Sequence, residues 1–243
     1  MDRRSRRTPP LLRPDCRILR VIAVSLMFGF ITACSVHQNH STAQHLAINL
    51  SPKDLKQNGL AFMSPSTVSG REEDKQALAF IVGRVLQQER PDIRQVSLPH
   101  ALGAINNAGL ARDYKQMFED YQSTGIFSQQ ILGEIGDAVN ARYVIQLNLA
   151  SFNQGSRGRF SLLGYRLFQT KHADIRMFIQ IWDTSTGSIA WEGVEELIVA
   201  EETSSEKVIN FTTVVEASAR NLIKLLPQSE VDPSQLSHAT SAQ

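Results

Sequence analysis

The residues of this chain whose types and spacing could carry chemistry stand at Ile31-Thr32-Ala33-Cys34. A modifiable thiol follows two small side chains there, at the end of the uncharged run Val21 to Ile31 and behind Arg3, Arg4, Arg6, Arg7, Arg13, Arg17 and Arg20. A basic start, a short apolar stretch and small residues at its end are the three parts of an export signal, so residues 1–33 read as a signal peptide. The apolar run is too short to cross a membrane, which takes about 20 apolar residues. The constellations of catalysis are missing elsewhere: there is no Gly-rich phosphate cradle, no Gly-x-Ser-x-Gly and no histidine pair at metal spacing on a helix. His172 and Asp174 share one face of a strand but lack a third group to orient them. Asp113, Glu119 and Asp120 read as the wet face of a helix, and His37 and His40 have no carboxylate or thiolate beside them to complete a metal site. The expectation is a non-enzyme without cofactor or metal.

The tetrapeptide resembles the lipobox of bacterial lipoproteins. That resemblance implies cleavage before Cys34, a diacylated thiol there, an acylated new amine (palmitate-type chains) and a lipid anchor. Ser35 rather than Asp after the cysteine is similar to lipoproteins bound for the outer membrane of Gram-negative cells, on its periplasmic side. Three acyl chains, at about 0.8 kcal/mol per buried methylene, make such an anchor effectively permanent. The alternative is an ordinary cleaved signal in which the cysteine is incidental. Twin-arginine export fits poorly, because Ser5-Arg6-Arg7 continues into Thr8-Pro9-Pro10 where that motif carries a bulky apolar residue.

Removing residues 1–33 takes seven of the 25 Lys and Arg and two of the 24 Asp and Glu, leaving 18 against 22. The mature chain is therefore mildly acidic and lacks the concentrated basic face that nucleic acid binding needs. Of the two cysteines, Cys16 leaves with the signal and Cys34 takes the lipid, so packing alone must hold the fold. Residues 34–58 are polar and read as the lipidated cysteine and a short tether, with an extended piece at His45 to Leu50. Residues 59–226 are long enough for one core, given a usual domain of roughly 100 to 150 residues. Residues 227–243, rich in Ser, Gln, Thr and Pro, read as a disordered tail.

Within 59–226 the pattern is βαβαααβββα. Gly59 to Met63 reads as a buried strand stopped by Ser64-Pro65. Glu73 to Glu89 carries Ala77, Phe80, Ile81, Val85 and Leu86 at helical spacing and ends at Arg90-Pro91. Ile93 to Leu98 is expected as a strand, His100 to Ala108, Ala111 to Gln122 and Ser128 to Val139 as helices, with Ser128 a candidate N-cap. Tyr143 to Phe152 alternates as a strand with one favoured face. Asp174 to Asp183 and Ser188 to Ile198 form a hairpin over Thr184-Ser185-Thr186-Gly187, and a last helix begins at Ser205 with Val208, Phe211, Val215, Leu222, Ile223 and Leu226 as its stripe. The expected class is α/β: a mixed, three-layer-like sheet with an antiparallel C-terminal hairpin, packed by helices.

Two stretches carry a further resemblance. Ile135-Gly136-Asp137-Ala138-Val139-Asn140-Ala141-Arg142-Tyr143-Val144-Ile145-Gln146 is a helix end running into a strand, and Arg176 to Trp191 is a strand, an Asp-x-x-x-Gly turn (Asp183 to Gly187) and a second strand with a Trp. Together with the element order they resemble the lipoprotein family of the curli secretion lipoprotein CsgG, the penicillin-binding-protein activator LpoB and the exopolysaccharide lipoprotein PelC, over roughly residues 59–226. Asp183 and Gly187 also have a reason of their own, an Asp-initiated turn closed by a Gly at positive φ. CsgG-like channels carry two membrane-inserting hairpins; here the connection after the Asp-Gly hairpin passes from Val199 to Ser204 straight into the last helix. The connection before it, 153–172, is too short and too basic for membrane strands of about 9 to 11 residues each way. LpoB-like proteins resemble a globe on a long Pro-rich stalk, which this tether does not match. A compact PelC-like domain near the outer membrane fits these lengths best.

That connection is the candidate interface or membrane contact, because Arg157, Arg159 and Arg166 interleave with Phe160, Tyr165 and Phe168 on an otherwise acidic protein. The alternative is a hairpin extension packed on its own domain. The functional expectation is a structural or assembly component of an envelope secretion, polysaccharide-export or appendage system, acting as a homo-oligomer. The other expectation is a monomeric docking module that activates a periplasmic cell-wall enzyme.

Overall fold

The computed structural model describes residues 37–162, 165–203 and 209–228. They form seven strands and six helices in the order β1 (His37–Ala47), α1 (Pro52–Asn58), β2 (Leu60–Phe62), β3 (Ser66–Thr67), α2 (Glu72–Glu89), β4 (Gln95–Val96), α3 (Leu98–Asn107), α4 (Ala111–Thr124), α5 (Gln129–Val139), β5 (Tyr143–Leu162), β6 (Tyr165–Asp183), β7 (Ser188–Thr203) and α6 (Phe211–Lys224). One mixed sheet takes the order β1-β7-β6-β5-β2-β4, with β3 also on β5. The β2, β3 and β4 pairings are parallel, whereas β5, β6, β7 and β1 run antiparallel in turn.

Helices cover both faces, so the class is the mixed α/β sandwich expected. On one face α2 lays Leu78, Ile81, Val82, Val85 and Leu86, and α6 lays Val214, Val215, Ala219, Leu222 and Ile223, over Tyr143, Ile145, Leu147, Met177, Ile179, Ile181 and Trp191. On the other face α3, α4 and α5 bring Ala101, Ile105, Met117, Leu132 and Ile135 onto Val144 and Trp182. Strand alternation creates the two layers, since successive residues of β5 face opposite sides. Ala150 is left over between the pairs Leu149–Met177 and Ser151–Arg176, so Leu149 and Phe152 fall on the same face although three apart. Phe152 then packs edge-on against Phe211 of α6.

Four differences from the sequence reading have physical causes. Residues 37–58, expected as a tether, contain β1 and α1; Ser51 and Asp54 close a capping box around α1, and Leu55 is fully buried. The Ile93 to Leu98 strand shrinks to Gln95–Val96 because α3 starts at Leu98, with Pro99 in its first turn. The last helix begins at Phe211 rather than Ser205, where Asn210 accepts a hydrogen bond from the Thr212 N–H as N-cap. The connection 153–172 is no loop: β5 continues for 20 residues and β6 for 19, paired to the tip at Leu162 and Tyr165. Those lengths include the halves packed in the core, where Leu149, Ala173 and Ile175 are buried; beyond Ala173 residues 155–162 pair with 165–172, still short of the about 9 to 11 residues each way of a membrane strand.

Candidate functional site

The two stretches singled out from sequence meet in space. α5 ends at Asn140, in the left-handed region at φ 50°, and the Ala141 N–H closes back on the Gly136 carbonyl. That reversal delivers Arg142 to the start of β5, opposite the β6–β7 turn, where its Nε lies 3.1 Å from both Asp183 carboxylate oxygens and its Nη2 2.7 Å from Oδ2. The Asp183 Oδ1 also accepts from the Ser185 N–H at 3.0 Å and the Ser185 hydroxyl at 2.6 Å, and Gly187 closes the turn at φ 67° by donating to the Asp183 carbonyl. Gly136 admits the turn closely: a Cβ there would stand 2.8 Å from Thr184 Cβ. Burial pushes the Asp183 carboxyl upward, but the hydrogen bonds from Arg142 and Ser185 outweigh it and hold it below the usual carboxylate range. The Arg142 guanidinium is pushed upward, chiefly by its bond to Asp183.

Every strong acceptor site of this carboxylate is used, so the pair clasps helix, strand and turn and leaves no base for proton transfer. A polar cleft of about 870 Å³ opens beside it, lined by Arg94, Glu134, Asp137, Asn140 and Ser185 among others. Its second guanidinium is also committed, because Arg94 Nη2 donates to the Asn140 carbonyl at 2.5 Å and the Asn58 carbonyl at 3.3 Å. Asp174 accepts from Asn153 Nδ2 across the β5–β6 ladder at 2.8 Å, which gives that carboxylate a structural partner. Asp113, Glu119 and Asp120 sit on the exposed side of α4, where Lys115 pairs with Glu119 and Gln116 donates to Asp120. Among the described residues no group of three His, Cys, Asp or Glu is placed to hold a metal.

The candidate contact residues lie on the β5–β6 extension. Arg157 stands opposite Thr170, Phe160 opposite Phe168, Ser161 opposite Arg166 and Leu162 opposite Tyr165, with Arg159 left over at a register shift beside Phe160. Pairing thus brings Phe160 and Phe168 across from each other and places Tyr165 and Arg166 at the tip. The lipobox residues Ile31, Thr32 and Ala33, Cys34 itself and residues 229–243 lie outside the described residues.

Sequence reasoning missed an apolar groove between α2 and α3. Its cavity of about 1250 Å³ is lined by Phe62, Ala77, Phe80, Gly83, Leu98 and Leu102 with a polar margin of Gln76, Gln87, Gln88 and Gln95. Phe80, expected on the core stripe of its helix, is instead 71% exposed. The signal was present in the phase: Leu78, Ile81, Val82, Val85 and Leu86 make a complete buried stripe, and Phe80 falls outside it. Among the described residues no helix is long and apolar enough to cross a membrane.

No family model matches the chain, and no curated protein matches it. Among solved structures the chain is similar to the PelC dodecamer from Paraburkholderia phytofirmans, with 11% identity over 79% of this chain and 100% of that one and a TM-score of 0.46. It is also similar to the LpoB C-terminal domain from Salmonella enterica (14% identity, 62% and 86% covered, TM-score 0.34) and to lipoprotein GNA1162 from Neisseria meningitidis (8% identity, 62% and 87% covered, TM-score 0.32). Scores of this size mark a loose likeness that assigns no role to any residue here.

Proposed function

We propose that this chain is an outer-membrane lipoprotein, anchored through Cys34 and facing the periplasm, that serves as a structural component of an envelope secretion, polysaccharide-export or appendage system by self-association. The observation that carries the self-association is the long β5–β6–β7 extension, in which three strands stay paired outward from the helix-covered core as far as Gly158, Gln169 and Thr203, and β5 and β6 continue to Leu162 and Tyr165. A domain that only had to close its own core gains little from strands of 20, 19 and 16 residues, since the usual strand is about five or six. Arg157, Arg159, Phe160, Tyr165, Arg166 and Phe168 lie on this extension and are the proposed contacts with a neighbouring copy or the membrane surface. The α2–α3 groove favours a second reading, a monomer that docks on and activates a periplasmic enzyme through an apolar segment of that partner.

The solution mass of residues 34–243 with Cys34→Ser separates the two. A discrete multimer broken by Arg159→Ala or Tyr165→Ala is expected for the assembly component. A monomer at every concentration overturns self-association and leaves the docking reading, for which the groove variant Phe80→Ser must then abolish activation.

A further inference from the structure

We infer that β1 is a pairing edge for a second copy of this chain: two β1 strands join antiparallel about a two-fold axis near Thr42 and merge two sheets into one. The inference deepens the self-association reading and rests on it. β1 ends the sheet, hydrogen-bonded to β7 from His37–Glu201 to Ala47–Trp191, and among the described residues no strand pairs its other side. Sheets blunt such edges by shortness, by bulges, or by Lys and Pro on the edge strand. The opposite edge, β4, is two residues long. β1 uses none of these devices: it has eleven residues, no Pro, no Lys, Arg, Asp or Glu, and an unbroken register with β7. Its side chains from Asn39 to Ala47 are all exposed, so among the described residues nothing covers the free edge. The strand is nevertheless pinned from behind, where Ser41 donates to the fully buried Glu195 and Asn221 of α6 donates to both.

The strand's own sequence points to a second copy as the occupant. Pairing about Thr42 sets Gln38 against Leu46, Asn39 against His45 and His40 against Gln44, with no like charges among its eleven residues. The proposed anchor adds to this, because Cys34 lies three residues before β1 and confines every copy's edge to one membrane surface at high effective concentration. A two-fold pair puts the two N-termini at opposite ends of a strand about 37 Å long. Both reach one leaflet when β1 runs along the membrane.

Single-cysteine oxidation of the full chain in its own membranes tests this, with the unsubstituted chain as background. Opposed residues of an antiparallel pair have Cα atoms about 4.5 to 5.5 Å apart, within disulfide reach. One residue from the axis, a position faces its own counterpart two residues along the partner, about 8 to 9 Å away and out of reach. Disulfide dimer is therefore expected at Thr42→Cys, about tenfold above Ser41→Cys, Ala43→Cys, Asn39→Cys and Leu46→Cys. Thr42→Glu, which sets two carboxylates against each other across the axis, is expected to lower dimer recovered by amine cross-linking. Even yields along β1, or none, overturn the edge pairing. If none is seen while amine cross-linking still recovers multimers, self-association stands on another surface; if amine cross-linking also fails, self-association falls with it.

Discussion

Replacing Asp183 with Asn tests the clasp that joins α5, β5 and the β6–β7 turn. The carboxylate is 3% exposed and holds Arg142 through three contacts and Ser185 through two. Asn keeps the shape and one acceptor oxygen for Ser185, but it turns an amide toward the guanidinium. Losing one partner of a buried ion pair costs about 3 to 5 kcal/mol. Arg142 is 41% exposed, so water recovers part of its solvation and the lower end, about 3 kcal/mol, is expected. For a chain of 150 to 250 residues that corresponds to a fall of roughly 6 to 12 °C in Tm. The pH dependence has a definite sign. Asp183 titrates below its ordinary value in the fold, so its contribution is complete above the unfolded value of 3.8 and is lost as pH falls through the folded one. Urea unfolding of residues 34–243 with Cys34→Ser should therefore show a constant gap between parent and Asp183→Asn from pH 5 to 8, closing in acid. A gap below about 1 kcal/mol at pH 7, or one that widens as pH falls, refutes the clasp.

Gly136→Ala forces a Cβ against the buried, β-branched Thr184, and should cost about 1 to 3 kcal/mol in the same unfolding assay. Tyr114→Phe removes the phenol that accepts from the Ser64 N–H at 2.8 Å, costing about 1 to 2 kcal/mol at neutral pH. Burial raises the Tyr114 phenol above its usual 10.0, so parent stability should decline above pH 10, and unfolding midpoints of Tyr114→Phe should decline less there. Phe80→Ser, at a largely exposed position, should leave stability within about 0.5 kcal/mol of the parent by urea unfolding, whatever it does to binding.

The covered part of the fold was legible because burial writes itself into periodicity. Leu132, Ile135 and Val139 recur at helical spacing, and Tyr143, Ile145, Leu147 and Leu149 alternate, since each set faces one layer of a sandwich. The turn at Asp183 was legible from local chemistry, an Asp to accept and a Gly to reverse. Arg142 as its partner was not, because the contact depends on the pairing of Tyr143 with Asp183, a register that forms across 40 residues of chain. β1 was missed for the opposite reason. An edge strand exposed on both faces buries no alternate residue, so His37 to Ala47 reads as polar linker although its ladder to β7 is complete.

The β5–β6 extension was likewise read as a connection, although its two strands stay paired to Leu162 and Tyr165. A strand with no alternate residue buried, such as β1 from Asn39 to Ala47, leaves no hydrophobic period, yet its backbone must be ordered at about 1 to 2 kcal/mol per residue in lost entropy. Within the monomer, β1 recovers that cost through its ladder to β7 and the hydrogen bonds joining Ser41, Glu195 and Asn221, each worth about 1 kcal/mol net. Segments so evenly balanced are the ones a further interaction stabilises most, whether with a lipid surface or with another copy. The edge at Thr42 is therefore where binding has the most ordering to gain. The clasp at Asp183, already saturated, is where it has the least.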